Sequence, residues 1–150
     1  MRSRVIVVDV DVSPAGRAAL RWALEEAERT DATVQAMMVR QRRPALVAVG
    51  PPGVHPCTGR HPAHELHALV VQLRAELPGA PDTAEVTIIG DTSTALVQAS
   101  RRADLLVMGS PGTEEFHGSV VAHCVRHAAC PVVVVPLGVT GTSARRAKPG

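Results

Sequence analysis

Apolar residues in this chain come in short unbroken runs, and between the runs the apolar positions change to helical spacing. Val5–Val10 is one such run, interrupted only by Asp9, and it reads as a strand buried on both faces. Ser13-Pro14 follows, a capping residue with proline at the first helical position. Leu20, Ala23, Leu24 and Ala27 then make one core stripe, with Arg21, Glu25 and Arg29 four apart on the outer face. Thr33–Val39 predicts a second strand, and a second helix runs from about Pro62 to Leu77, where Pro78-Gly79-Ala80-Pro81 stops it. Ala84–Ile89 is the third strand and Gly90-Asp91-Thr92 a capping turn. Thr94–Arg102 predicts the third helix, Asp104–Met108 the fourth strand, Ser119–Ala128 the fourth helix and Pro131–Val135 the fifth strand, ended by Pro136.

Strands that alternate with helices, and that are apolar runs rather than alternating patterns, predict an α/β fold: a single open, doubly wound, five-stranded parallel sheet with helices on both faces, Rossmann-like. One domain is expected over residues 1–140. Residues 40–63 interrupt the pattern with five prolines and three glycines, and are expected to form a long mobile loop. Residues 141–150 are expected to be a disordered basic tail.

In such a sheet, ligands bind at the carboxyl ends of the strands where the strand order reverses. There Leu105–Met108 runs into Gly109-Ser110-Pro111-Gly112 and then Gly118-Ser119, at the start of the fourth helix. Glycines let the backbone approach a ligand, and a helix start offers unpaired N–H groups and a positive dipole end, so this loop suits a phosphate. The plainer alternative is a tight strand-to-helix connection. Several enzyme classes are excluded. The segment after the first strand reads D-V-D-V-S-P-A-G, not G-x-G-x-x-G, and neither G-x-x-x-x-G-K-[ST] nor G-x-S-x-G occurs.

Composition narrows the partners. The apolar fraction is 45%, enough for one core, but one Phe, one Trp and no Tyr leave it to Val, Leu, Ala, Ile and Met and argue against base stacking. A net charge of +2 gives no case for nucleic acid. No run approaches the roughly 20 apolar residues of a membrane span, so no membrane is expected. Met1 leads directly into a strand without a signal-type apolar region, and three scattered cysteines do not make a disulfide framework. A cytoplasmic location is expected.

With these elements in order, the chain resembles the universal stress protein family. Val5–Leu20 is similar to the family's opening, an apolar strand, Asp-x-Ser and an Ala/Leu-rich helix, continued by Trp22-Ala23. Gly90-Asp91 with Ala95-Leu96 resembles its turn into the third helix. Leu106–Gly109, Ser110-x-Gly112, Gly118-Ser119 and Cys130–Val135 resemble its closing pattern. The resemblance implies an adenine-nucleotide-binding regulatory or sensor protein in a stress response, usually a dimer. It places Asp11 by the adenine or ribose and Val39 on the adenine. Met108, Gly109, Gly112, Gly118, Ser119 and Val120 would line the ribose and phosphates. It also implies ATP or another adenine nucleotide, AMP or cyclic AMP included, with magnesium only alongside ATP. Each residue has a structural alternative: Asp11 as a helix cap, Val39 as core, Ser119 as the fourth helix's N-cap.

Departures from the family pattern bear on the ligand. Family members that bind nucleotide carry G-x2-G-x9-G-[ST], whereas only Thr113–His117 separate Gly112 from Gly118 here. Pro111 removes a backbone donor, Glu114 and Glu115 fall where a triphosphate would pass, and Asp9 and Val12 stand where glycine is frequent. Binding is then expected to shift to a less charged ligand, or the site is lost and the chain acts as a dimeric interaction module through the edge strand Val132–Val135. Arg40, Arg42 and Arg43 leave the second strand at the same edge and are expected to supply compensating charge. No general base is placed to activate water, so binding is expected rather than catalysis, with at most slow ATP hydrolysis.

His55, Cys57, His61, His64 and His67 are a minor candidate for a zinc-type site, since their spacing fits no known zinc pattern. His123, Cys124, His127 and Cys130 read as helix packing, because nothing supplies the oxyanion site a Cys/His nucleophile needs.

Overall fold

The apolar runs pair side by side into one parallel sheet, in the order β3-β2-β1-β4-β5. The computed structural model describes residues 2–41, 61–110 and 120–136. In chain order the elements are β1 (Val5–Asp9), α1 (Pro14–Thr30), β2 (Thr33–Arg40), α2 (Pro62–Glu76), β3 (Thr83–Ile89), α3 (Thr92–Ser100), β4 (Leu105–Gly109), α4 (Val120–His127) and β5 (Val132–Val135). The chain is the expected doubly wound α/β fold. From β1 it steps outward to β2 and β3, then returns across the sheet to β4 and β5. Right-handed crossovers put helices on opposite faces when the direction of winding reverses. So α1 and α2 cover one face, over Ile6, Val8 and Val10, while α3 and α4 cover the other, over Val7, Met37 and Leu106.

Local chemistry sets the element ends. Ser13 has extended backbone and accepts from the Gly16 amide at 3.1 Å, and Pro14 opens α1 behind it. At the far end Asp31 adopts a left-handed φ of 57° and gives its amide to Ala27. The third helix begins at Thr92, two residues earlier than the sequence pattern predicts, because the Asp91 carboxylate accepts from both the Thr94 amide (2.9 Å) and its hydroxyl (2.8 Å). Its end tightens into i→i−3 bonds from Arg101, Arg102 and Ala103, so Arg102 falls outside the helix. At the entry to β4, Asp104 donates its amide to Val5 O and accepts the Val5 amide on its carboxylate, both at 2.8 Å. Pairing of Gly109 with Val135 extends β4 one residue past the expected Met108.

The expected loop over 40–63 narrows at both ends. Arg40 closes β2, and Pro62 and Ala63 begin α2. Residues 42–60 and the expected tail lie outside the described residues.

One buried hydroxyl joins α3 to the turn that follows α4. Ser100, 1% exposed, accepts from the Ala129 amide at 2.8 Å and donates to Val97 O at 2.6 Å. Ser100→Ala leaves the Ala129 amide without its partner and is expected to cost about 1–3 kcal/mol, read as a lowered urea midpoint with an unchanged slope.

Candidate functional site

The reversal of strand order lies between β1 and β4, so the crevice of the fold opens at their carboxyl ends. Four segments meet there or at its edge: the β1–α1 link from Asp9 to Ser13, the end of β2 at Val39, the Gly90-Asp91 turn, and Gly109-Ser110 leaving β4.

Asp11 and Gly109 are brought together by α1. Asp11 Oδ1 accepts from the Ser13 amide at 2.9 Å and from the Ser13 hydroxyl, whose oxygen in turn holds the Gly16 amide. Gly16 is obligatory in this turn, since a Cβ there would lie 2.3 Å from Asp11 Oδ1 and 2.6 Å from its backbone N and O. A Cβ on Gly109 would lie 2.4 Å from the Ala15 carbonyl oxygen. The first turn of α1 is thus packed hard against the ends of both central strands. Asp11 is a cap-organising residue, but one oxygen does that work. Oδ2 takes no hydrogen bond among the described residues, and the side chain is exposed.

Asp9 is the group at this crevice whose importance the sequence understates. Side chains alternate along a strand, so Asp9 shares the face of Val5 and Val7, toward α3 and α4. It is half-buried, and its carboxyl has no hydrogen bond or ion pair among the described residues. Burial, and then the neighbouring Asp11 charge, pushes its carboxyl up to about 7. Its charge also reaches α4: the Cys124 thiol, raised first by its own burial and then by Asp9, stands at about 11. Cys124 is therefore a core thiol and not a nucleophile.

The remaining expected residues divide clearly. Val39 is half-buried at the end of β2, on the same face as Asp9, and Val120 stands in the first turn of α4. Met108 is 1% exposed, so its side chain is core and only its backbone lies near the crevice. Gly112, Gly118 and Ser119, with Pro111, Glu114 and Glu115, lie outside the described residues. Arg40 is a correction. It lies on the opposite face, beside Met38, and is paired with Glu65 of α2, so it supplies no compensating charge to the crevice. Arg42 and Arg43 are not described. Among the histidines, His67 bonds Glu85 at 3.1 Å and His61 caps α2 through the Ala63 amide; no group of three metal-ligating side chains occurs among the described residues. His55 and Cys57 lie outside them. No helix among the described residues is long and apolar enough to cross a membrane.

Comparison with known proteins agrees with this architecture. A family model described as the universal stress protein family matches residues 2–136. A universal stress protein of Mycobacterium tuberculosis is 33% identical over 138 residues, which cover 87% of this chain and 46% of the relative. The chain thus spans about half the length of the curated relatives it matches. A universal stress protein solved in complex with cAMP superposes with a TM-score of 0.65 at 23% identity, covering 92% of this chain and all of that one. A family protein of Arabidopsis thaliana with AMP bound gives 0.65 at 24%, covering 97% and 99%.

The desolvated carboxyl of Asp9 has a measurable consequence. Its pKa rises from 3.8 to about 7 on folding, so the native state holds the proton more tightly. The contribution of this carboxyl to stability is then fully present below about pH 4 and is lost as pH climbs toward about 7. Asp9→Asn is expected to match the wild type near pH 4 and to exceed it above neutrality by on the order of 2 kcal/mol, discounted for partial exposure. Thermal denaturation of both proteins across that range is the check, and curves that stay parallel would contradict it.

Proposed function

Because the chain belongs to the universal stress protein family, we propose that it binds an adenine nucleotide in the β1–β4 crevice and serves as a regulator or sensor in a stress response. The observation that carries this reading is that Asp11 and Gly109 both pack against the first turn of α1, at Gly16 and Ala15, beside the reversal of strand order. Asp11 Oδ2 is available to accept from a ribose hydroxyl or an adenine amino group, as a nucleoside requires. Val39 supplies an apolar wall one strand away, and Gly109 and Ser110 bring backbone to the opening. Gly112, Gly118 and Ser119 complete the set by sequence, together with the backbone of Met108 and the start of α4 at Val120. That related folds have been solved with cAMP and with AMP supports an adenine ligand. ATP is a finer assignment, and magnesium would accompany only that one.

Mass spectrometry of ligand released from the purified protein, followed by calorimetry with ATP, AMP and cyclic AMP, tests the reading. At least one adenine nucleotide is expected to bind. Asp11→Ala should weaken it tenfold or more, while Ser13→Ala should cost about 1 kcal/mol of stability as a lost cap and change affinity far less. Absence of binding by every nucleotide would leave the alternative, a dimeric interaction module.

A homodimer through β5 is compatible with either reading, and the position of β5 at the edge of the sheet among the described residues favours it. The carbonyls of Pro131 and Val135 accept from Leu106 and Ser110 of β4. Backbone groups alternate in direction along a strand, so those of Val132 and Val134 face away from β4 toward the open edge. Val134→Pro removes an outward amide without touching the β4 ladder. It should convert a dimer to a monomer in sedimentation velocity with a near-native circular dichroism spectrum; an unchanged sedimentation coefficient would exclude this edge as the interface.

A further inference from the structure

Among the described residues the Asp9 carboxyl has no hydrogen-bond or ion-pair partner, and it stands at the carboxyl end of β1, where the crevice opens. It ends β1, the strand at which the winding reverses, and Met37 of β2, Met108 of β4 and Cys124 of α4 give it apolar surroundings. A polar group in such a place needs a proton or a hydrogen-bonding ligand. The charged groups of the neighbouring elements do not relieve it. Asp11, two residues beyond the end of β1, adds like charge, and Cys124 from α4 is a neutral thiol. Asp91 at the head of α3 is held by Thr94 and faces His123 of α4. Arg40 of β2 is on the other face, bound to Glu65.

We propose that Asp9 sets the charge of the ligand the crevice accepts, admitting an adenine nucleoside or its cyclic monophosphate and rejecting a polyphosphate. The inference rests on the adenine reading above and adds the specificity-determining residue. While protonated, the carboxyl donates a hydrogen bond to a ligand oxygen. Once ionised, it and Asp11 repel a phosphate across a short, poorly solvated gap. The proton leaves near neutrality, since the carboxyl titrates at about 7. Affinity for an anionic ligand therefore falls as pH rises through that point, and affinity for an uncharged nucleoside does not.

Calorimetry on the full chain with cyclic AMP and with adenosine, at about pH 5.5 and about pH 8.5, separates these effects, because cyclic AMP keeps a single charge over that range whereas a terminal phosphate titrates near 6. Wild-type protein should bind cyclic AMP on the order of tenfold more weakly at the higher pH, and adenosine about equally at both. Asp9→Asn should remove the cyclic AMP dependence. It should also improve ATP binding by a larger factor than cyclic AMP binding. Cyclic AMP affinity that is independent of pH, or a slope that survives in Asp9→Asn, overturns the inference and leaves the adenine reading intact. Failure of both ligands to bind either protein at either pH overturns the two together.

Discussion

The close packing of the first turn of α1 against the ends of β1 and β4 is the constraint on which the rest of the crevice depends. Gly109 has no room for a side chain because the Ala15 carbonyl lies against it, and Gly16 has none because Asp11 folds back over it. Three sequence features, Asp-x-Ser-Pro, the following glycine and the glycine closing β4, thus describe a single contact. That contact aims the N-terminus of α1 and the Asp11 carboxylate at the point where the sheet changes its direction of winding. The proposed ligand site would come with the fold, because the same bonds that start the helix also build the wall of the opening.

Asp9 works against this arrangement. A carboxyl at the end of a central strand costs stability when ionised, and no cation among the described residues offsets that cost. A small apolar residue would pack there with less strain on the fold. Its presence is best understood through what enters the crevice, since a group that is unfavourable alone becomes favourable when a ligand supplies the missing partner. The raised Cys124 thiol on α4 is a by-product of the same field and has no chemistry of its own to perform.

Much of this was legible in the sequence, and the failures have physical causes. Strand and helix identities followed from apolar runs and helical spacing, because a parallel sheet covered on both faces demands them at every strand. The start of α3 was misplaced by two residues because Asp91 satisfies both the amide and the hydroxyl of Thr94, and composition alone does not tell a cap from a turn. Arg40 was expected at the crevice because it follows Val39, but alternation along β2 turns the two side chains to opposite faces, one toward the face covered by α3 and α4 and the other toward Glu65. Asp9 showed only as a break in an apolar run. Its weight comes from neighbours on three other elements, which no local pattern encodes. Gly16 was missed for the same reason: the clash that requires glycine is with a residue five positions earlier, across a turn.

The crevice and the free edge of the sheet are structurally continuous. Gly109, whose backbone faces the opening, pairs with Val135 at the end of β5, and the Ser110 amide bonds the Val135 carbonyl at 2.8 Å. β5 is only four residues long and packs against few elements, so its position depends heavily on β4. A ligand that fixes the backbone just beyond Gly109 would therefore also fix the strand whose outer amides are open to a second chain. On the proposed reading, nucleotide binding and self-association would both act on one β4–β5 unit, joined by the Gly109–Val135 rung.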